Sequence, residues 1–351
     1  MQVLHKACFY LVLVTILNSF NSVFATPFMI KTNSSSFEQD IERMRQTFQD
    51  LHFKQIEFPV QKSKKDHATF IRKGILIMRP DALGTVVVCH GFTQSKYEAA
   101  FFRTLFPHFN VLAFDFRAHG DLTDGQYSTI GNDELYDIKG AVDFVKSIAE
   151  LESKPIIGFG FSMGAVTLLQ AQAEYPDLFT AMIMDSPFDS SSDCMAACID
   201  RMLTVKFFGQ KYRIPGKKVM MKCLYCNRLQ PVMRQVFRYA AGFNNAVAKT
   251  KFVPVLPIEN APKITVPCYF ITCQNDQKVP VGCVRRLYDA VPSSYKRLWI
   301  TKGIRHCGSC LDSPELYAYR INKFIKNVLY NSWTQAEKIH DDRGEVMVYE
   351  K

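Results

Sequence analysis

From Thr85 onward, short continuous apolar runs alternate with longer stretches of helical spacing, and this alternation restricts the chain to very few architectures. "TVVVCHG" is followed by a helical stretch around Tyr97 to Phe106, "NVLAFDF" by one from Glu134 to Glu150, and "PIIGFGF" by one from Gly164 to Ala173. Runs that are apolar at every position are strands buried on both faces. Separated by helices, they imply a mostly parallel sheet with helices on both faces. "FTAMIMD" is the next strand, but a long basic stretch follows it in place of a short helix. The alternation resumes at "VPCYFITC", with a helix around Val281 to Val291, then "RLWIT" and an amphipathic helix from Pro314 to Tyr330. Ahead of this region lie strand-like stretches at "QIEFPV" and "TFIRKGILIMRP", and a helical spacing of Ile41, Met44, Phe48 and Leu51 behind a polar linker at Thr32 to Ser36. The expected organisation is a leader over 1–25, a core over 26–185, an insertion over 186–263, the rest of the core over 264–332, and a polar tail over 333–351. With 351 residues, 48% of them hydrophobic and 22% charged, the chain has enough apolar surface to bury such a core.

The leader reads as a secretory signal. His5 and Lys6 precede the apolar run "ACFYLVLVTIL", and "SVFA" supplies small residues at Val23 and Ala25 for cleavage. The alternative is an uncleaved membrane anchor, for which the run is short of the roughly 20 residues a spanning helix needs. The expected location is therefore outside the cytoplasm, secreted or periplasmic. Without Cys8 ten cysteines remain, and an even number in an oxidising compartment permits disulfides. Cys194 with Cys198 and Cys223 with Cys226 form two close pairs that suit disulfides first and a zinc ion second. Cys89, Cys268 and Cys273 fall in strand-like runs, where a free thiol behaves as a small hydrophobe.

Net charge is +10, and from Arg201 to Lys251 there are twelve Lys or Arg and no Asp or Glu. Met202, Phe207, Phe208, Met220, Met221, Leu224, Val232, Met233, Val236, Phe237 and Tyr239 are interleaved with these cations. The mixture fits a helical cap packing its apolar side on the core. It equally fits amphipathic helices at an anionic membrane surface. No nucleic-acid motif accompanies the charge, so no nucleic-acid partner is expected.

The strand "PIIGFGF" ends in G-F-S-M-G, with Ser162 between Gly160 and Gly164 and a helix starting at Met163. A serine on a sharp strand-to-helix turn is raised at the carboxyl edge of the sheet, beside a helix N-terminus that favours developing negative charge. From Thr85 to Leu329, leaving out the insertion, the chain resembles the α/β-hydrolase superfamily. That resemblance implies an α/β-hydrolase fold with a helical cap insertion and an acid and a histidine that follow the serine in this order. Asp276, in "CYFITCQNDQKVP" just after a strand, fits the acid, and His306, in "TKGIRHCG", fits the histidine. The implied oxyanion donors are the backbone N–H of Met163 and those of Phe92 or Thr93 in "HGFTQS". This loop lacks the glycine-rich H-G-G-G form of some lipases and is closer to the H-G-x-x loop of lysophospholipase-like and peptidase-like members.

Several residues compete for these roles. Asp185 in "MIMDSPF" also follows a strand and is a second candidate for the acid. His90 and His119 suit loop anchors, and Asp115 and Arg117 in "FDFRAHG" a structural ion pair or turn. His52, His67, His108 and His340 suit surface or satisfied core positions. Cys307 would serve as nucleophile only without Ser162, because it has no elbow. The expected function is an exported serine hydrolase that cleaves carboxylic esters, including lysophospholipid-like or monoacylglycerol-like lipids, and needs no cofactor or metal. The alternatives are a serine peptidase of the same superfamily and a non-catalytic binding protein on this fold.

Overall fold

The computed structural model describes residues 53–120, 125–207, 210–240, 249–330 and 349–350. The expected leader, the helix before Leu51 and nearly all of the tail lie outside these residues. The described chain starts with an antiparallel pair, Lys54–Gln61 (β1) and Thr69–Ile77 (β2). Alternation along β1 turns Ile56, Phe58 and Val60 inward and leaves Lys54, Gln55, Glu57 and Pro59 exposed, as a strand covered on one face requires.

The next strands are buried at every position: Thr85–Cys89 (β3), Asn110–Phe114 (β4), Ile156–Phe161 (β5), Ala181–Asp185 (β6). Thr204–Phe207 (β7) and Gln210–Arg213 (β8) form a separate antiparallel hairpin, and Cys268–Cys273 (β9) and Lys296–Thr301 (β10) return to the main sheet. With Tyr349–Glu350 (β11) at one edge, the sheet runs β1-β2-β4-β3-β5-β6-β9-β10-β11. From β4 to β10 every pairing is parallel. β2 joins β4 antiparallel.

Period-two side chains divide the interior into two cores. Val87, Cys89, Met182 and Met184 face one, together with Leu135–Lys146 (α2), Met163–Glu174 (α3) and Val281–Ala290 (α7). Val86, Val88, Ile157 and Ile183 face the other, with Lys96–Phe101 (α1) and Pro314–Tyr330 (α8). A capping box between Ser95 and Glu98 starts α1, which tightens into a 3-10 turn over Phe102–Leu105 and so ends earlier than its sequence spacing suggests. α2 also stops early, where the Ser147 hydroxyl donates back to the Phe144 carbonyl at 2.7 Å.

Between β6 and β9 the chain forms Ser191–Met202 (α4), the β7–β8 hairpin, Lys217–Tyr225 (α5) and Gln230–Ala240 (α6). Leu224, Met233 and Phe237 are buried in the first core, and Met220 and Met221 pack against it. Most of the interleaved apolar residues that are described thus face the protein. The two legs of the segment meet where Ser191 N–H donates to Val255 O at 2.9 Å. On its return the chain brackets Ser128, with Ser128 N–H to Lys249 O and Lys251 N–H to Ser128 O, both 2.8 Å.

All ten described cysteines are free thiols, which corrects the disulfide expectation. Cys194 and Cys198 lie one turn apart on α4, where side chains sit about 5–6 Å from Cβ to Cβ, too far for the roughly 3.5–4.5 Å of a disulfide. Cys223, on α5, and Cys226, the extended residue just after it, are likewise unpaired. The described residues assemble no group of three or more metal-ligating side chains, so the zinc alternative finds no site among them. Cys89, Cys268 and Cys273 are fully buried in strands, as expected.

A buried charge cluster ties the front of the sheet to the loop after β4. Asp137 on α2 accepts from Arg72 Nε at 3.0 Å and from Arg117 N, Nε and Nη2 at 2.9, 3.0 and 2.8 Å. Burial alone would push this carboxyl up, but Arg117 and Arg72 outweigh it and hold it below the ordinary range. Asp115 pairs with Lys96 at 2.6 Å, so the neighbours Asp115 and Arg117 are partners of different residues and not of each other. Asp137→Ala would strand two buried guanidinium groups. It should cost about 3–5 kcal/mol in urea unfolding, and a loss below 1 kcal/mol would show that water or rearrangement compensates the cluster.

Candidate active site

Ser162 is the residue between β5 and α3, and its backbone is strained, with φ 49° and ψ −111°. The two flanking glycines make this turn possible by their lack of a side chain. A Cβ on Gly160 would lie 2.7 Å from Ala165 N and from the Gly164 backbone. One on Gly164 would lie 2.2 Å from Cys89 O and 2.6 Å from His90 O. Helix α3 therefore leans directly on the end of β3. Ser162 N–H donates to Asp185 O at 2.8 Å, which fixes the turn to the neighbouring strand.

His306 lies in the loop after β10, and Asp276 in the loop after β9. His306 Nδ1 is 2.7 Å from Asp276 Oδ2, and His306 Nε2 is 2.8 Å from Ser162 Oγ. The other carboxylate oxygen, Oδ1, accepts from Lys278 N–H at 2.8 Å and Val279 N–H at 3.0 Å. An acceptor at Nδ1 assigns the ring proton to that nitrogen, so Nε2 is left to accept from the serine hydroxyl. The Asp276 side chain is fully buried while that of His306 is 14% exposed, so the acid is sealed and the base is reachable from outside. Such a chain can remove the proton from Ser162 as it attacks and return it to a leaving group.

Met163 opens α3, and its N–H is among the first four of the helix, which have no intrahelical acceptor. The Gly164 contact brings the loop after β3 to the same place. Phe92 and Thr93 occupy a turn closed by Gln94 N–H to Gly91 O at 3.2 Å and by Gly91 N–H to Gln94 Oε1 at 2.8 Å. Thr93 has φ 75°, a second strained residue beside the serine. His90 supports this turn with both ring nitrogens: Nδ1–H donates to Gly91 O at 2.8 Å and Nε2 accepts from Phe116 N–H at 3.1 Å. Burial, assisted by neighbouring His119, pushes its pKa down to about 3, so the ring is neutral. His119 is held to Arg117 O at 2.9 Å and packs edge-on against Phe92. Both histidines thus anchor loops. His67 and His108 are exposed, while His52 and His340 lie outside the described residues.

Asp185 does not reach His306. Its carboxylate oxygens accept from Ser186 Oγ and Tyr317 Oη, each at 2.8 Å. The Cys307 thiol points inward beside Ser186, and burial pushes it well above its ordinary range, which disfavours the thiolate a nucleophile needs. Two contributors were not apparent in the sequence. Tyr317 falls on the buried stripe of α8 with Ile321 and Phe324, where spacing gives burial and not a hydroxyl's partner. Arg201, at the end of α4, donates to Gln277 O and ties the segment between β6 and β9 to the loop of Asp276.

Residues 86–318 match the model of the alpha/beta hydrolase family, and the chain belongs to that family. Over 260 residues it is 27% identical to the uncharacterized protein YqkD of Bacillus subtilis (strain 168), covering 73% of this chain and 75% of that one. Among solved structures it is similar to the Pyrococcus furiosus esterase Pf2001, with a TM-score of 0.58 and 22% identity over 80% of this chain and 93% of the other. It is also similar to the Pyrococcus horikoshii acylaminoacyl peptidase, with a TM-score of 0.52 and 14% identity. That match covers 85% of this chain but 45% of the peptidase. The fold is therefore the α/β-hydrolase fold.

The surroundings of Asp185 give a measurable signature. Burial raises its pKa to about 6, against the partial relief of the Ser186 and Tyr317 hydroxyls. Between about pH 4 and 6 the unfolded chain has released this proton while the folded one retains it, so this group's contribution to stability falls as pH rises. Asp185→Asn should therefore be more stable than wild type above pH 6, by up to ~3 kcal/mol, with the gap closing toward pH 4. Urea titrations at pH 4 and 7 that show a constant difference would refute this.

Proposed function

We propose that the chain is a serine hydrolase that cleaves carboxylic esters through an acyl-enzyme on Ser162. One observation carries the reading: the unbroken hydrogen-bonded path from Ser162 Oγ through His306 to Asp276, at 2.8 and 2.7 Å. Ser162 Oγ attacks the ester carbonyl while His306 Nε2 takes its proton. The negative charge that develops on the carbonyl oxygen is met by Met163 N–H and by a backbone N–H of Phe92 or Thr93. The intermediate collapses as His306 returns the proton to the departing alcohol. Water, deprotonated by the same nitrogen, then attacks the acyl carbonyl and frees Ser162 and the carboxylic acid. Asp276 stabilises the imidazolium in both halves.

The substrates that suit this site are acyl esters of the lysophospholipid or monoacylglycerol kind. The Met- and Phe-rich segment over 186–263, taken as a cap on the core, favours amphiphiles over small polar esters. The esterase among the structural relatives supports ester over amide cleavage, since this chain spans 93% of it and 45% of the peptidase. The leader supports export, with a mature protein beginning near Thr26. Intact mass measurement of protein recovered from the medium of a eukaryotic secretion host tests this, and a mass that retains residues 1–25 would argue for an anchor.

Wild-type protein should label with a fluorophosphonate and hydrolyse p-nitrophenyl esters, and Ser162→Ala should do neither. Asp276→Asn should lower turnover by about three to four orders of magnitude, the loss expected when the imidazole is left in the wrong tautomer. Asp185→Asn should keep most of it. Equal hydrolysis by wild type and Ser162→Ala would reject the mechanism, while efficient cleavage of acyl-peptide anilides but not esters would turn the reading to a peptidase.

A further inference from the structure

We propose that the outward faces of α5 and α6, with strand β8, form a docking surface for an anionic lipid bilayer. The inward faces of the two helices are already used, since Leu224, Met233 and Phe237 share the first core. Facing out are Lys218, Val219 and Lys222 on α5 and Pro231, Val232 and Gln235 on α6, each set at i, i+1 and i+4. Both helices turn their other sides to one core, and only the four residues 226–229 join them, so the two outward faces lie next to each other along the chain. The connection 226–229 between them is exposed throughout, as is the whole of β8.

Two properties of this surface occur together. It carries large apolar groups that are not needed by the core, with Tyr212 and Val219 both 51% exposed, Val232 41% and Leu229 37%. It also carries exposed Lys211, Lys218, Lys222 and Arg228, none of which has an anionic partner among the described residues. Asp200 pairs with both Arg213 and Lys217 but offsets only one of their two positive charges, and no further acid occurs before Glu259. A bilayer with acidic headgroups meets both properties, since its phosphates attract the cations and its interfacial zone takes up the apolar side chains. A nucleic acid or an acidic protein would satisfy the cations and leave Val219, Leu229 and Val232 against charged groups. Only the purpose of docking, delivery of amphiphilic esters from the bilayer, rests on the proposed esterase activity. The surface itself stands without it.

Co-sedimentation of the full chain with vesicles of phosphatidylcholine alone, or containing about one third phosphatidylserine, tests the proposal. Binding should be at least tenfold stronger to the anionic vesicles and should weaken with salt. Each lysine contributes about fivefold near such a surface, so Lys218→Ala with Lys222→Ala should lose about 25-fold. Val219→Ser with Val232→Ser should weaken binding to the anionic vesicles at unchanged charge. Hydrolysis of a soluble short-chain ester should be unaltered in both variants. Equal binding to both vesicle types, indifference to the lysine pair, or preferential capture by a soluble polyanion such as heparin would each overturn the docking surface. Vesicle binding that survives in a protein without esterase activity would instead overturn the esterase reading and leave the surface standing.

Discussion

Helix α3 approaches the end of β3 so closely that position 164 has no room for a side chain, and much else depends on that contact. The carbonyls of Cys89 and His90 occupy the space a Cβ would take, so the first turn of the helix is pressed against the sheet. The chain can enter such a helix from β5 only through a sharp reversal, which is why Ser162 has a positive φ. The same contact presses the start of α3 against the backbone that leads into the 91–94 turn. Ser162 and that turn are therefore positioned by one packing event. The buried clusters farther out hold the walls: Asp115 fixes α1 to the end of β4, and Asp137 fixes the following loop to β2.

Two carboxyl groups follow neighbouring strands in this sheet, and their surroundings give them opposite fates. Asp276 accepts two backbone N–H groups and the imidazole N–H of His306. Asp185 accepts only two hydroxyls in a fully buried place, and burial favours its protonated form. Asp185 is committed to its two hydroxyl donors, whereas Asp276 reaches the ring of His306. The choice between them is made by what donates to each, and not by distance along the chain.

The period of the apolar runs was enough to read the central parallel strands and the last helix, whose bounds at Pro314 and Tyr330 agree with the structure. The meeting of Ser162, Asp276 and His306 was legible because each residue follows its own strand. Pairings across space were less accessible. Asp115 and Arg117 lie two apart, yet one side chain turns to α1 and the other to α2, because the backbone turns sharply just after β4. The β7–β8 hairpin is only four residues to a strand, too short for the alternation in TVKF to stand out, and QKYR carries two cations and no alternation. Close cysteine spacing suggested bridges, but all ten described cysteines are free thiols.

The strain at Ser162 also bears on how such a protein can change over time. A glycine would occupy the same backbone position without the roughly 1–3 kcal/mol that a side chain incurs there. Replacement of this serine by glycine is thus downhill in stability, and selection for a sturdier fold alone would erode the turn. The serine in this chain persists in a conformation that folding by itself disfavours. Attempts to stabilise the protein by relaxing its strained positions should therefore leave this turn untouched and look to the periphery of the sheet.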